Sequence, residues 1–394
     1  MHWRSRLVQP QTLAPTDFKS LTTPVHRAST VLFDRQADVT DGWRQAQTGY
    51  SYGLYGTPTA LELGGRIAQL EGALHSFVVP GGQAAIALIY LSHCQTGSHA
   101  LVPFSAYGPN QAMAKGLLKG LGIEVEGYDP LIGAGIAALI RPNTTLVWVE
   151  SPGSVTMEIQ DVPAICAAAH ARGVPVALDN TYAAGVLFDA FAHGVDISMQ
   201  ALTKYVGGHS DLLLGTVSVN SEMGCERMGA TFKQLGLAVS PDDCSLALRG
   251  LQTMGVRLAH LETATLDVAR WLAERPEVCT VLHPALPSCP GHALWQRDFT
   301  GSASVFSILF HGAFSARQVE AFVDSLQLFK IGMSWGGLTS LALVYPELVR
   351  PGRDYAGRLV RLNVGLEEVD DLKRDLAQAL EALRRPIGEG MAHG

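Results

Sequence analysis

The segments 174-VPVALDN-180 and 198-SMQALTKYVGGHSD-211 decide the fold of this chain. The first is an apolar run ending in Asp179, which predicts a buried strand with a carboxylate at its carboxyl end. A buried carboxylate requires a partner, and a pyridinium nitrogen would supply one. Lys204, in the second segment, lies among glycines and small polar residues, and a lysine amine in such a cleft can form an imine with an aldehyde cofactor. Taken alone, either residue is more often an ordinary surface group.

Apolar strands alternate with helical patterns on both sides of these segments. Strands are predicted at 76-SFVVP-80, 99-HALVPF-104, 144-TTLVWVE-150 and 212-LLLGTVSV-219. Helices are predicted at 83-QAAIALIYLSHC-94, 110-NQAMAKGLLKGL-121 and 162-VPAICAAAHARG-173. This alternation predicts an α/β fold with a mainly parallel sheet covered on both faces. Ligands of such sheets bind at the carboxyl ends of the strands.

The pattern divides the chain into three parts. Residues 1–56 predict an extended arm, and Thr59 followed by Glu62 predicts a capping box for the first helix, at 61-LELGGRIAQLEG-72. Residues 57–251 form the predicted cofactor-binding domain. Residues 252–394 begin with a long helical stretch over 254–278 and predict a smaller α+β domain with a frayed tail.

Composition excludes several classes of function. The net charge of −7 opposes attraction to nucleic acid or anionic lipid. No apolar run reaches the ~18 residues that a membrane span needs, and the N-terminus has no secretory h-region, so we expect a cytoplasmic protein. The six cysteines are scattered and form no CxxC pair, which predicts isolated buried thiols and no metal site. No GxGxxG follows the first strand, which argues against a Rossmann-type nucleotide enzyme.

Further candidate site residues follow other predicted strands. Gly81, Gly82 and Gln83 precede an apolar helix, where backbone N–H groups would hold a phosphate. Tyr107 follows the next strand and could stack on a cofactor ring. Arg361, late in the chain, could bind a substrate carboxylate in a bidentate pair. Each also has an ordinary interpretation, namely a helix cap, a boundary aromatic or a salt-bridged surface arginine, and only their joint order along the chain favours a site.

These residues and their surroundings resemble the cystathionine-metabolising family of fold-type I pyridoxal-phosphate (PLP) enzymes. The most specific stretches are ESPGSVTMEIQDVPAI, LDNTYAAGVLF, ALTKYVGGHSD, RGLQTMGVRL, HPALP, RDFTGSASVFS, SWGGLTSL and VRLNVGLEEVDDL. The resemblance implies a fold-type I, transferase-like α/β fold with a seven-stranded sheet. It also implies that the cofactor is pyridoxal 5'-phosphate and that the substrate is a small sulfur amino acid.

The resemblance also implies a role for each candidate residue. Lys204 would form the Schiff base and move protons, Asp179 would pair with the pyridinium nitrogen, and Tyr107 would stack on the ring. The phosphate would be held by Gly82, Gln83, Thr203 and, from a neighbouring subunit, Tyr52. The substrate carboxylate would be bound by Arg361, Ser334 and Trp335. Tyr107 or Tyr52 could assist departure of the thiolate, and an arm that reaches a neighbour's site implies a homotetramer of paired dimers.

The resemblance implies PLP-dependent cleavage of a carbon–sulfur bond, and the SWGG stretch favours the β-lyase branch. That branch converts L-cystathionine by β-elimination to homocysteine, pyruvate and ammonia, a step of methionine biosynthesis. A broad cysteine-S-conjugate β-lyase, a methionine or cystathionine γ-lyase and a non-enzymatic PLP-binding regulatory protein are the alternatives.

Three positions depart from the family pattern. Leu54 stands where the family has an arginine that contacts the neighbour's phosphate, and Tyr55 or Arg44 could compensate. Gln83 and Ala201 replace a common methionine and a common serine.

Overall fold

The computed structural model describes residues 21–384 and contains a large sheet that carries the predicted strands. Its strands are β1 (His75–Val79), β2 (His99–Pro103), β3 (Glu124–Tyr128), β4 (Thr144–Glu150), β5 (Val176–Asp179), β6 (Ile197–Gln200) and β7 (Gly215–Val219). The order across this seven-stranded sheet is β1-β7-β6-β5-β4-β2-β3. Strand β7 runs antiparallel to both of its neighbours, and the other pairs are parallel. The mainly parallel sheet is therefore confirmed.

The central strands are buried because helices cover both faces of the sheet. Strands β2, β6 and β7 are buried at every position, as expected for strands without a solvent-facing side. The α-helices between residues 45 and 273 are α1 (Gln45–Thr48), α2 (Pro58–Glu71), α3 (Gly82–His93), α4 (Gly108–Met113), α5 (Val162–His170), α6 (Glu222–Leu235) and α7 (Pro241–Ala273). Helix α4 continues into a π-helical turn over Ala114–Leu118.

The predicted capping box at Thr59 is wrong. Helix α2 begins at Pro58, and its N-cap is Thr57, whose side chain makes no capping bond. Thr59 is buried instead: its hydroxyl donates to the carbonyl oxygen of Pro24 (2.8 Å) and accepts from the N–H of His26 (2.9 Å). The hydroxyl that sequence reasoning assigned to a helix cap thus ties the N-terminal arm to α2.

The long helix also differs from its prediction at both ends. Helix α7 begins at Pro241, thirteen residues before the predicted start at Met254. Ser240 caps it by accepting the N–H of Asp243 (3.4 Å), with proline in the first turn. It ends at Ala273, so Val278 belongs to the next strand. The helix is continuous across the predicted domain boundary at residues 251 and 252, and the division into domains remains a prediction.

The last third of the described chain forms a second, mostly antiparallel sheet with two helices against it. Its strands are β8 (Val278–Leu282), β9 (Val305–Phe310), β10 (Lys330–Ile331), β11 (Leu341–Val344) and β14 (Leu359–Asn363), in the order β10-β11-β14-β9-β8. The helices of this part are α8 (His292–Asp298), α9 (Ala316–Asp324) and α10 (Val369–Arg384). A short hairpin, β12 (Val349–Arg350) with β13 (Arg353–Asp354), precedes β14. This is the α+β arrangement predicted for the end of the chain.

The arm and the thiols complete the fold. Residues 21–56 lie on the surface of the chain, with Trp43 packed against Phe77 of β1 at 5.3 Å between ring centroids. Residues 1–20 of the predicted arm and the predicted frayed tail, residues 385–394, lie outside the described residues. Five of the six cysteines are buried as predicted, but Cys279 is exposed because it faces solvent on the edge strand β8. Within residues 21–384, no helix is long and apolar enough to cross a membrane.

Candidate active site

A cavity of about 280 Å³ lies at the carboxyl ends of the central strands, where the fold predicts a ligand site. Residues from both sheets line it. Of the predicted site residues, the cavity brings together Gly82, Gln83, Tyr107, Asp179, Thr203, Lys204, Trp335 and Arg361. Ser334 contacts Lys204 next to it. Tyr52 is not part of this cavity in its own chain.

Lys204 lies in the turn that follows β6. Its Nζ donates to Oγ of Ser334 at 2.5 Å and lies 5.3 Å from the centroid of the Trp335 ring. Burial lowers the pKa of Lys204 to about 8; the Arg361 guanidinium adds to this fall, and Asp179 opposes it. An amine with this pKa is neutral in a useful fraction near neutral pH, as imine formation and proton transfer require.

Asp179 ends β5 inside the same cavity. Its Oδ1 accepts the N–H of Thr181 at 3.0 Å. Burial raises the pKa of Asp179, while Thr181 and Lys204 oppose the rise. A buried carboxylate that must stay ionised needs a cationic partner, and a protonated pyridine nitrogen fits that requirement.

The amino-terminal end of α3 lies at one end of the cavity. Gly81 precedes the helix with φ +145°, a conformation that favours glycine. A Cβ on Gly82 would lie 2.9 Å from Cβ of Ala201, so the backbone packs closely here. First-turn N–H groups have no partner within a helix and attract phosphate. Thr203 also lines the cavity, but its hydroxyl already donates to the carbonyl oxygen of Leu214 (3.2 Å).

Arg361 enters the cavity from β14 in the second sheet. Its guanidinium donates to the Tyr345 hydroxyl (2.7 Å) and to the carbonyl oxygen of Ser334 (2.9 Å). Burial lowers the pKa of Arg361, and Tyr345 opposes the fall. Ser334 has φ +75°, a left-handed conformation unusual for serine. The same guanidinium therefore fixes the segment that presents Ser334 to Lys204 and leaves a buried positive charge for a carboxylate.

Leu54 stands in the arm where the family has an arginine, and the polar groups near it make their contacts within their own chain. Tyr52 is 46% exposed, and its carbonyl oxygen accepts from the Gln45 side chain (2.6 Å). Arg44 pairs with Glu222 (2.7 Å) and Glu226 (3.0 Å). The Tyr55 hydroxyl donates to Asp41 at 2.6 Å. Neither Tyr55 nor Arg44, the two candidates to replace the family's arginine, lines the cavity of its own chain.

Sequence reasoning missed several polar residues of the cavity region, among them Glu150 and Tyr345. Glu150 lines the cavity and accepts the N–H of Tyr107 at 2.7 Å. It could have been found, because it ends a predicted buried strand just as Asp179 does. Tyr345 lies in a segment without a recognisable pattern, and only the tertiary structure brings it to Arg361.

A second group of ligand-type residues lies away from the cavity. Within the described chain, His99, Glu124 and Glu126 are close enough together to hold a metal ion. They lie at the opposite ends of β2 and β3 from the cavity, and Arg141 pairs with both carboxylates. The expectation of no metal site remains a prediction.

The cavity fits PLP at three points: a helix end for the phosphate, a lysine of lowered pKa for the aldehyde and a buried carboxylate for the ring nitrogen. The fold and this site define a PLP-dependent enzyme of fold type I. The family model described as "Cys/Met metabolism PLP-dependent enzyme" matches residues 5–381. The chain belongs to that family.

Relatives in this family include named β-lyases. The chain is 43% identical over 365 residues to the cystathionine β-lyase of Bordetella avium, covering 91% of each chain. It is 42% identical over 362 residues to cystathionine β-lyase MetC of Escherichia coli, covering 89% of this chain and 91% of that one. A crystal structure of cystathionine γ-synthase from Xanthomonas oryzae pv. oryzae, in complex with aminoacrylate and cysteine, superposes with a TM-score of 0.86 at 28% identity, covering 94% and 95% of the two chains.

Proposed function

We propose that the protein cleaves the Cβ–S bond of L-cystathionine by β-elimination. With one water molecule, the reaction yields homocysteine, pyruvate and ammonia. The observation that carries the proposal is the position of the Lys204 amine, whose pKa is lowered to about 8 and which shares one cavity with Asp179 and Arg361. The β-lyase relatives support the choice of substrate and bond.

The residues of this chain divide the work between holding and proton transfer. When bound, PLP supplies a conjugated ring that accepts the electron pair left at Cα. Asp179 would hold the ring nitrogen protonated, and the end of α3 with Gly82 and Gln83 would hold the phosphate. Arg361 would bind the substrate α-carboxylate beside Ser334 and Trp335. Neutral Lys204 would remove the Cα proton, and protonated Lys204, Tyr107 or Tyr52 could assist departure of the thiolate.

The proposal extends to assembly and place in the cell. Tyr52 lies outside the cavity of its own chain, so a role at the phosphate requires a second copy of the chain; a homotetramer of paired dimers supplies one. A cytoplasmic enzyme that releases homocysteine would serve methionine synthesis.

Product analysis tests the reaction. Purified, PLP-loaded protein is incubated with L-cystathionine, and pyruvate with homocysteine is quantified against 2-oxobutyrate with cysteine. The first pair supports β-elimination, and the second overturns it in favour of a γ-lyase. Neither pair, with the cofactor spectroscopically bound, would point to another cysteine S-conjugate or to a regulatory role. The Lys204→Ala variant is the control, because it should form neither pair while remaining folded.

A further inference from the structure

A buried carboxyl group that the proposed reaction does not use lies at the end of β4. Glu150 is the last residue of that strand, and its register partner on the parallel neighbour β5 is Asp179. Both residues line the cavity, and Glu150 is only 7% exposed. Two carboxyl groups therefore lie at adjacent strand ends in the same cavity.

Glu150 holds the backbone of the residue expected to face the cofactor ring. Its Oε2 accepts the N–H of Tyr107 at 2.7 Å. Tyr107 is the N-cap residue of α4, so this bond also fixes the start of that helix. Its side chain stays 43% exposed at the cavity. A bond to the backbone leaves the ring itself free to contact a ligand.

Burial and the neighbouring Asp179 favour the neutral form of Glu150. The N–H groups of Tyr107 and Ser154 and the guanidinium of Arg350 oppose this by favouring the ionised form. Arg350 donates to the carbonyl oxygen of Ser154 (3.0 Å). Burial, followed by the charge of Asp179, raises the pKa of Glu150 well above its usual range. Adjacent buried carboxylates cannot both ionise cheaply, and Asp179 has the attraction of Lys204 in its favour.

We propose that Glu150 is a positioning residue of this active site, one that fixes the Tyr107 backbone and leaves Asp179 as the ionised carboxylate at this edge of the sheet. The inference rests on the proposed function only for its effect on turnover. Its effects on the bound cofactor can be measured without substrate.

Three variants separate the two parts of the proposal. Glu150→Gln keeps a carbonyl oxygen for the Tyr107 N–H and carries no charge, whereas Glu150→Ala removes the acceptor. Asp179→Asn, which also neutralises a carboxylate, serves as the comparison. The measurements are PLP affinity of the cofactor-free protein by equilibrium dialysis, the pH titration of the visible band of bound PLP, and kcat and KM for L-cystathionine. Thermal unfolding checks that each variant is folded.

We expect Glu150→Ala to weaken PLP binding and lower kcat by about tenfold each, since a buried N–H loses its acceptor. Glu150→Gln should recover most of both losses and keep the titration midpoint of the wild type, while Asp179→Asn shifts that midpoint.

Equal PLP affinity in Glu150→Ala and wild type would overturn the positioning role. If the midpoint shifts as much in Glu150→Gln as in Asp179→Asn, the conclusion that Glu150 is neutral is wrong. If Glu150→Ala does not fold, the titration midpoint of Glu150→Gln still tests whether Glu150 is neutral. The PLP affinity of Glu150→Asp, whose side chain is one methylene shorter, then tests the contact with the Tyr107 N–H. Absence of lyase activity in the wild type would overturn the proposed function and leave these cofactor readouts intact.

Discussion

The pKa of the Lys204 amine is set by burial, by the Arg361 guanidinium and by Asp179. Burial and the Arg361 guanidinium disfavour its positive charge, and Asp179 favours it, so that its pKa falls to about 8. Ser334 accepts a hydrogen bond from the same Nζ and holds it in place. The balance leaves an amine that exchanges protons at ordinary cellular pH, which an exposed lysine, with a pKa near 10.4, does not do.

The lowered pKa predicts how cofactor attachment depends on pH. The neutral amine attacks the aldehyde, and its fraction rises as pH passes the pKa, so the attachment rate of cofactor-free protein should increase about tenfold from pH 7 to pH 9 and then level off. Stopped-flow absorbance measures the rate, with Nα-acetyl-lysine as a reference for titration of PLP itself. A rate that keeps rising in parallel with the reference up to pH 10 would contradict the environment described for Lys204.

Single residues were predictable where they followed strong strand patterns. Asp179, Tyr107 and Gly82 could be placed at one sheet edge because parallel strands end together. The neighbours that set the chemistry of Lys204 were harder to predict. The contact of Lys204 with Ser334 depends on how the second sheet packs on the first, and the contact of Arg361 with Tyr345 depends on the pairing of β14 with β11. No local pattern encodes either arrangement.

At the scale of elements, α7 supports the turn that carries Lys204. Gly250 of α7 packs on this turn so closely that a Cβ would lie 2.3 Å from the carbonyl oxygens of Val206 and Gly207. Arg257, two turns further along the same side of the helix, donates to the carbonyl oxygens of Tyr205 (2.7 Å) and Gly250 (2.7 Å). The helix thereby satisfies backbone groups of a buried turn that belongs to no strand or helix.

A pair of substitutions in α7 tests this support. Gly250→Ala should lower the free energy of unfolding by about 2 kcal/mol, because backbone atoms must move to admit the methyl group, and should weaken PLP binding by displacing Lys204. Gly255→Ala, in the same helix with nothing within 4 Å of its Cβ position, should raise the free energy of unfolding by up to about 1 kcal/mol. Urea denaturation measures both. Equal effects of the two substitutions would show that α7 does not constrain the turn.

Elements were predicted better than their ends. The strand 144–150 has its predicted limits because charged and polar residues bound a continuous apolar run. The start of α7 was missed although a serine cap, a proline and two aspartates precede it, and although Cys244, Ala247 and Leu248 extend the apolar periodicity N-terminal to the predicted start. The antiparallel direction of β7 has no local signal, since a buried strand is apolar in either direction.

At the scale of the whole molecule, the cavity combines residues far apart in sequence, and the proposed assembly adds a residue from another copy. If Tyr52 serves a neighbour's site, Lys204→Ala and Tyr52→Ala chains should each have low activity alone. Mixed after reversible dissociation in equal amounts, they should recover about a quarter of the wild-type sites, because half of the dimers are mixed and each carries one complete site. If mixtures that demonstrably contain hybrid dimers recover no activity, Tyr52 does not act in a neighbour's site.

The position of β1 also bears on synthesis of the chain. Among the described strands, β1 pairs with β7 alone, and Phe77 lies opposite Val217. At typical translation rates of ~5–20 residues per second, the ribosome takes on the order of ten seconds to deliver β7 after β1 has been made. During that interval β1 is a nascent apolar segment without its sheet partner, open to chaperones and to other nascent chains. The large sheet can therefore be completed only after β7 has been made, when its last strand joins its first.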